Sequence, residues 1–299
     1  MPTAVSAAES PLASPRYRTY VLAMLVVVYV FNFLDRQIVT ILAEPIKVDL
    51  GLNDTQIGLM TGMAFALFYT VLGIPIARLA DRANRVSIIS AALVIWSGMT
   101  ALCGAAQNFL QLLAARIGVG VGEAGCSPPA HSLIADYYPA EKRASALSIY
   151  ALGIPIGSIL GLLAGGWIAE FYGWRVAFFI VGVPGIALAL AVKLTIREPI
   201  RGMSEGSAAA NPEQPPLGET FSVLLRNRTM LHISMGGALT SFVGYGLGQW
   251  MPALFIRIHG MGIAETATYF GLALGVASAV GTLLGGTLAD RLSQVDQRM

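Results

Sequence analysis

Long apolar segments constrain this chain more than any other feature of its sequence. A helix that crosses the roughly 30 Å hydrocarbon core of a bilayer needs about twenty residues, and apolar stretches of this length recur eight times. The predicted membrane spans, numbered here as segments 1 to 8, are 18–42, 55–78, 86–105, 109–134, 145–168, 175–196, 229–256 and 265–289. The sequence therefore predicts an all-α, multi-spanning membrane protein.

The composition supports this class and excludes others. Hydrophobic residues make up 55% and charged residues 12% of the 299 positions, whereas about a quarter of the residues are charged in soluble domains. The formal net charge of +2 is small and the basic residues are dispersed, so no nucleic acid is expected as a partner. The sequence contains no nucleotide-binding GxxxxGK[ST] and no HExxH zinc motif, so we expect no enzyme activity, catalytic residue, metal or cofactor.

The distribution of lysine and arginine predicts the orientation, because these residues are retained on the cytoplasmic side. With the N-terminus in the cytoplasm, only three cations fall at the outer ends of the segments: Lys47, Arg175 and Arg257. Thirteen fall on the inner side: Arg16, Arg18, Arg78, Arg82, Arg85, Lys142, Arg143, Arg197, Arg201, Arg226, Arg228, Arg291 and Arg298. We therefore expect an integral protein of the cell (inner) membrane with a cytoplasmic N-terminus.

The same reading divides the chain into four parts. Residues 197–228 are polar and rich in Pro, Gly, Ser and Ala, which is typical of a linker. We expect a cytoplasmic tail at 1–17, a six-helix bundle at 18–196, the linker at 197–228 and an incomplete second bundle of two helices at 229–299.

A charged element recurs at the inner end of segments 2 and 8. The loop after segment 2 reads ARLADRANR over residues 77–85, and GTLADR occupies 286–291, with the aspartate repeated after 209 residues. Simple anchoring of helix ends by positive charges explains the arginines but not a repeated aspartate. We therefore predict a conformational latch made of Arg78, Asp81, Arg82, Arg85, Asp290 and Arg291.

These motifs resemble those of the major facilitator superfamily. The loop at 77–85 and its echo at 286–291 are similar to the family's loop signature, and RIGVGVG at 116–122 and GIPIG at 153–157 are similar to its glycine motifs. Within the superfamily, NFLDRQ at 32–37, GEAG at 122–125 and DYYP at 136–139 look most like the Spinster group of lysolipid- and sphingolipid-transporter-like proteins. The resemblance implies a twelve-helix transporter fold, of which this sequence covers a version truncated after the eighth helix.

Four charges lie inside the apolar segments, where an ionisable side chain costs at least a few kcal/mol and is seldom kept without a partner. They are Asp35 and Arg36 in segment 1, and Arg116 and Glu123 in segment 4. If segment 1 ends near Leu42, Asp35 and Arg116 lie at similar depth, and Glu123 lies two helical turns beyond Arg116.

We hypothesise that Asp35 pairs with Arg116 in one state, that Glu123 takes up a proton, and that Arg36 serves as a second partner or as an anion-binding group. Spinster resemblance favours the same positions. The alternative is a static ion-pair network that locks segment 1 to segment 4.

Segment 7 combines glycines with aromatic residues, which predicts either a flexible wall of a substrate cavity or ordinary helix packing with an interfacial tryptophan. The candidate cavity residues are Phe242, Tyr245, Gln249 and Trp250.

The leading functional hypothesis is a proton-coupled secondary active transporter that moves an amphipathic small molecule or lysolipid by alternating access. The proton gradient would drive it, and membrane lipids would surround it. The alternatives are a truncated, non-transporting membrane subunit or regulator, and a transporter for drugs or organic anions. In each case the missing C-terminal helices, or a partner supplying them, would complete the second bundle.

Overall fold

A computed structural model describes residues 14–205 and 217–295, with the residues from 285 onward described by their backbone alone. All regular structure in these residues is helical. The helices are α1 (Pro15–Leu50), α2 (Asp54–Gly58), α3 (Ala64–Ala80), α4 (Arg85–Ala105), α5 (Phe109–Glu123), α6 (Ser127–Tyr137), α7 (Ala140–Ala151), α8 (Gly153–Tyr172), α9 (Trp174–Thr195), α10 (Leu217–Arg226), α11 (Arg228–His259) and α12 (Ile263–Val295).

Six segments of the described chain are long and apolar enough to cross a membrane. They are Pro15–Leu50, Asp54–Ala80, Arg85–Ala105, Phe109–Tyr137, Ala140–Tyr172 and Trp174–Thr195. α11 and α12 coincide with predicted segments 7 and 8 and reach the length of a span, with 32 and 33 residues. Their place in the membrane, and the division of the chain into two bundles, stay predictions.

The first helix is longer than the sequence predicts. Ser14 caps its start, since the Ser14 side chain accepts a hydrogen bond from Tyr17 N, and Gly51 ends it with a left-handed φ of 62°. α1 therefore continues to Leu50 rather than ending near Leu42. The extra two turns bury Ala43 and Ile46. They also carry polar residues, such as Glu44 and Lys47, that are typical of a loop.

Segments 2 and 4 are not regular α-helices throughout. A π-helical turn at Leu59–Met63 joins α2 to α3, and a turn at residues 124–126 separates α5 from α6. Such irregularities occur often at functional sites. Both lie close to the buried charges.

Glycines set the closest helix contacts. A Cβ added at Gly161 of α8 would lie 2.6 Å from Leu34 O of α1, and one at Gly122 of α5 would lie 2.6 Å from Trp96 N of α4. The glycine motifs predicted from the sequence are thus packing surfaces, which bring α8 against α1 and α5 against α4. Two clusters of buried apolar residues fill the interior on either side of the charged residues.

The bundle has two ends that serve as reference below. The linker end is defined by Arg85 and by the two carboxylates that pair with it, Asp136 and Glu198. The far end is defined by Asp49 and Arg175, where α1 stops and α9 starts. α1 runs from the linker end to the far end, and α5 runs back.

Candidate functional site

An ion pair between α1 and α5 lies inside the bundle. Arg36 Nε is 2.5 Å from Glu123 Oε2, the Glu123 side chain is fully buried and that of Arg36 is 14% exposed. The Arg36 guanidinium also lies 4.6 Å from the ring centre of Tyr69 and 5.0 Å from that of Phe33. Aromatic faces stabilise a cation at these distances, so the charge of Arg36 is held by a carboxylate and by rings.

The other two predicted charges are buried beside this pair but do not form a salt bridge with each other. Asp35 Oδ2 accepts a hydrogen bond of 3.0 Å from Thr100 Oγ1 of α4. The Arg116 guanidinium lies 5.4 Å from the ring centre of Phe65. Both side chains belong to residues that are only 1% exposed.

Several polar atoms of this cluster are buried without a hydrogen-bond partner among the described residues. They are both amide atoms of Asn32, Asp35 Oδ1, Arg116 Nε and Nη1, and Glu123 Oε1. An unmade hydrogen bond of a buried group costs about 1–3 kcal/mol, and more for a charged group. Since donors and acceptors are both unpaired within one cluster, a rearrangement of the same side chains can pair them.

The expected Asp35–Arg116 pair is replaced in this conformation by Arg36–Glu123, and the direction of helical side chains explains why. Cα–Cβ bonds tilt toward the N-terminus of a helix, so side chains on antiparallel helices lean in opposite directions. Asp35 leans toward the linker end and Arg116 toward the far end, which separates their charges.

The same tilt brings Arg36 and Glu123 together. Glu123 lies two turns closer to the linker end than Arg116 does, and its side chain leans back toward the far end. Arg36 leans toward the linker end from α1, and its long side chain reaches the carboxylate. A pair between Asp35 and Arg116 stays a prediction for another conformation.

At the linker end, Arg85 is the centre of a second, buried network. Arg85 Nη1 is 2.5 Å from Asp136 Oδ2, Arg85 Nε is 2.6 Å from Glu198 Oε1, and Arg85 Nη1 donates to Ser132 Oγ at 2.8 Å. The arginine is 1% exposed. Sequence reasoning placed Arg85 in a latch but did not assign Asp136 and Glu198 as its partners. Each is a carboxylate at the same end of an apolar segment, and this position is the signal that could have identified it.

The remaining latch residues differ from one another in position. Arg78 is partly buried, whereas Asp81 and Arg82 are exposed, and both Arg78 and Asp81 take part in contacts. The side chains of Asp290 and Arg291 lie outside the described residues, so their part in a latch stays a prediction.

The beginning of the predicted linker is bonded to the bundle. Arg201 Nη2 donates to Ala80 O at 2.8 Å and to Ala83 O at 3.1 Å, where α3 ends. Gly202 N donates to Asp136 Oδ1 at 3.0 Å. The residues just after α9 therefore hold the loop between α3 and α4 in place.

At the far end, ion pairs connect α11 to the first two helices. Arg257 of α11 is 2.6 Å from Glu44 Oε2 and 2.7 Å from Asp54 Oδ1, and Lys47 Nζ is 2.8 Å from the same Asp54 oxygen. Nearer the centre, Thr40 Oγ1 donates to Gln249 Oε1 at 3.1 Å. These contacts close the seam between α1 and α11. Sequence reasoning placed Lys47 and Arg257 at this end and proposed Gln249 as a cavity residue, but it did not predict their contacts.

The four predicted cavity residues of α11 fall into two groups. Gln249 contacts Thr40, and Trp250 lies near Gly58 of α2, where an added Cβ would be 3.5 Å from the indole ring. Phe242 and Tyr245, in contrast, are 80% and 63% exposed.

Comparison with known proteins decides the family. The model of the Major Facilitator Superfamily matches residues 25–298. The chain belongs to this superfamily. Its all-helical fold and the family predicted from its motifs are thereby confirmed, and members of the superfamily are transporters rather than enzymes.

Individual superfamily members show the Spinster similarity expected from the sequence. An MFS-type efflux pump of Mycolicibacterium smegmatis is 37% identical over 284 residues, which cover 95% of this chain and 65% of that protein. Human protein spinster homolog 1 is 30% identical, over 95% of this chain and 57% of its own length. The chain thus spans about three fifths of the length of these curated relatives.

A solved structure supports the same grouping. The crystal structure of a bacterial homologue of the human lysosomal transporter Spinster, in an inward-facing and unoccupied conformation, shares 41% sequence identity and a TM-score of 0.81. The match covers 94% of this chain and 64% of that one. A D-xylose–proton symporter, at 18% identity and a TM-score of 0.68, shares the fold.

Proposed function

We propose that the chain acts in a proton-coupled secondary active transporter that moves an amphipathic small molecule or lysolipid by alternating access. The observation that carries the proposal is the Arg36–Glu123 pair, enclosed among buried polar atoms that lack partners. Buried charges of this kind cost energy in every state that leaves them unpaired, so they mark ion pathways in membrane proteins.

The proposed coupling step is a change of partners. A proton on the Glu123 carboxylate removes the negative charge that holds Arg36, while the unpaired atoms of Asp35 and Arg116 offer replacement contacts. Each protonation state would then favour a different arrangement of α1 against α5. A proton gradient can bias the conformational equilibrium only through such a difference in affinity.

The two ends of the bundle suggest how access would alternate. The ion pairs of Arg257 hold α11 against α1 and α2 at the far end. The resemblance to an inward-facing Spinster homologue supports a state that is closed at the far end and open toward the linker end. We assign the linker end to the cytoplasm, and the chain to the cell membrane, because the linker end carries most of the cations.

The substrate class rests on relatives and is tested as a panel. Similarity to Spinster proteins favours lysolipids. The mycobacterial relative is an efflux pump, which makes a drug the second candidate. A probable L-galactonate transporter of Escherichia coli, 27% identical, makes a sugar acid the third.

The test reconstitutes the complete gene product in liposomes with an internal pH dye and adds lysophosphatidylcholine, ethidium or galactonate. We expect one probe to cause proton flux in the wild type, and we expect Asp35→Asn and Glu123→Gln to abolish it. Glu141→Gln, which removes an exposed carboxylate of α7, is the control and should leave the flux unchanged. Unchanged flux in both site variants would overturn proton coupling, and no transport of any kind would favour a non-transporting subunit.

A further inference from the structure

The buried carboxyl of Glu123 has no direct contact with water. The side chain is 0% exposed, one oxygen binds Arg36, and the other has no partner among the described residues. In this conformation, a proton that reaches or leaves this carboxyl must therefore pass through a neighbouring polar group. Arg36 cannot serve, because a guanidinium is not deprotonated in proteins.

A line of polar residues leads from Glu123 to the linker end. Ser127 and His131 follow Glu123 along the chain, and these two lie four residues apart on α6, the spacing of neighbours on one helix face. Between Glu123 and Ser127 a tight turn interrupts the helix, since Gly125 N bonds to Gly122 O at 3.0 Å and Cys126 N bonds to Glu123 O at 3.1 Å. Exposure rises along the line, from the buried Glu123 through the partly buried Ser127 to the exposed His131.

A pair of tyrosines flanks this line. The rings of Tyr29 and Tyr150 are stacked with centres 4.2 Å apart, and the His131 ring meets Tyr150 edge-on at 5.4 Å. Tyr150 is 1% exposed, and its hydroxyl is buried. The side chains of Ser127 and Cys126 lie near this hydroxyl, and Ser127 also lies near that of Tyr29.

The groups that face these residues come from several helices. Arg36 and Tyr69 lie near the Tyr29 hydroxyl, and the buried thiol of Cys126 lies near Tyr150. Asp35, Arg116 and Asn32 lie around Glu123. In the described part of the chain, His131 has no carboxylate or cation as a partner. The imidazole is thus the group at the open end of the line whose ring nitrogens can both accept and release a proton.

We propose that Ser127, Tyr150 and His131 form a proton relay between Glu123 and the linker end, which deepens the proton coupling proposed above and rests on it. The Glu123 carboxyl gives its proton to a hydroxyl oxygen while that hydroxyl gives its own proton to the next group. Each hydroxyl ends unchanged, and His131 takes the proton on a ring nitrogen and releases it to water. Serine, tyrosine and histidine are the side chains that can take part in such transfers.

The rate of proton exchange at Glu123 tests the relay without a substrate. Rapid-mixing infrared spectroscopy after a pH jump follows the carboxylic C=O band of the reconstituted protein, and Glu123→Gln assigns that band. We expect His131→Ala and Tyr150→Phe to slow the exchange about a hundredfold, as for other positioned proton donors. Added imidazole should restore the rate of His131→Ala. Tyr138→Phe, a partly buried tyrosine of the same end, is the control and should exchange at the wild-type rate.

Three outcomes would overturn the relay. Unchanged exchange in His131→Ala shows that the proton takes another path, whereas a band that still responds to pH shows that Glu123 takes up a proton. Slow exchange without rescue by imidazole shows that the histidine acts through packing alone. A band that does not respond to pH removes the proposed coupling itself, and the relay with it.

Discussion

The close contact between Gly122 and α4 predicts that Gly122→Ala destabilises the protein. An alanine Cβ at Gly122 would lie 2.6 Å from Trp96 N and 2.8 Å from Trp96 Cβ, whereas ordinary contacts begin at 3.4 Å. The neighbour is backbone in the middle of a helix, so α5 and α4 must separate by about 0.8 Å, the shortfall in the shorter contact. Overpacking of this kind costs about 1–3 kcal/mol.

The control for Gly122→Ala is Gly98→Ala on α4, where nothing lies within 4 Å of the added Cβ. Both changes gain about 1 kcal/mol from helix propensity, so their difference isolates the packing term. We expect Gly122→Ala to unfold at a temperature about 2–8 °C below that of Gly98→Ala. Thermal unfolding of the purified protein measures this difference.

Gly122→Ala should also weaken proton coupling, because the displaced residue is next to Glu123, whose pair with Arg36 is 2.5 Å long. Equal unfolding temperatures for the two variants would refute the claim that glycines set the distance between α4 and α5.

Three further predictions follow from the ends of the helices. Arg85→Met should destabilise the protein by about 3–5 kcal/mol in thermal unfolding, because it leaves Asp136 and Glu198 without their cation. The control is Arg82→Met at an exposed position, which should change stability by no more than about 0.5 kcal/mol. Arg257→Gln should raise the rate at which a Thr40→Cys thiol is alkylated from the far end about fivefold, since the partly exposed Arg257–Glu44 pair contributes up to about 1 kcal/mol to keeping the seam closed. An unchanged rate would argue against a closed seam. Asn84→Ala should cost about 1 kcal/mol by removing the 2.7 Å cap on Ser87 N, and Asn84→Ser should retain most of that stability in the same assay.

Much of the fold follows from the sequence because the apolar segments are long and uninterrupted. Segment 3 was predicted at 86–105 and α4 spans Arg85–Ala105. The exception is the end of α1, where Glu44, Pro45 and Lys47 look like a loop. Glu44 is held in the helix by a contact that the local sequence does not contain, since it pairs with Arg257 more than 200 residues away.

The buried charges could be found from the sequence, but their partners could not. An ionisable residue in an apolar segment is visible directly, which identified Asp35, Arg36, Arg116 and Glu123. Depth estimates then matched Asp35 to Arg116, because they locate Cα atoms and ignore the opposite lean of side chains on antiparallel helices. The pairing of Arg85 with Glu198 could not be found either, because the two residues are 113 positions apart and no local pattern links them.

Two transport modes distinguish proton coupling by the buried carboxylates from a purely structural role of these residues. Exchange of the transported probe at equal pH needs no net proton transfer, whereas accumulation driven by a pH gradient does. We predict that Glu123→Gln retains exchange and loses accumulation, and that Glu141→Gln retains both. Accumulation at the wild-type level in Glu123→Gln, or equal loss of both modes, would show that Glu123 does not couple a proton to transport.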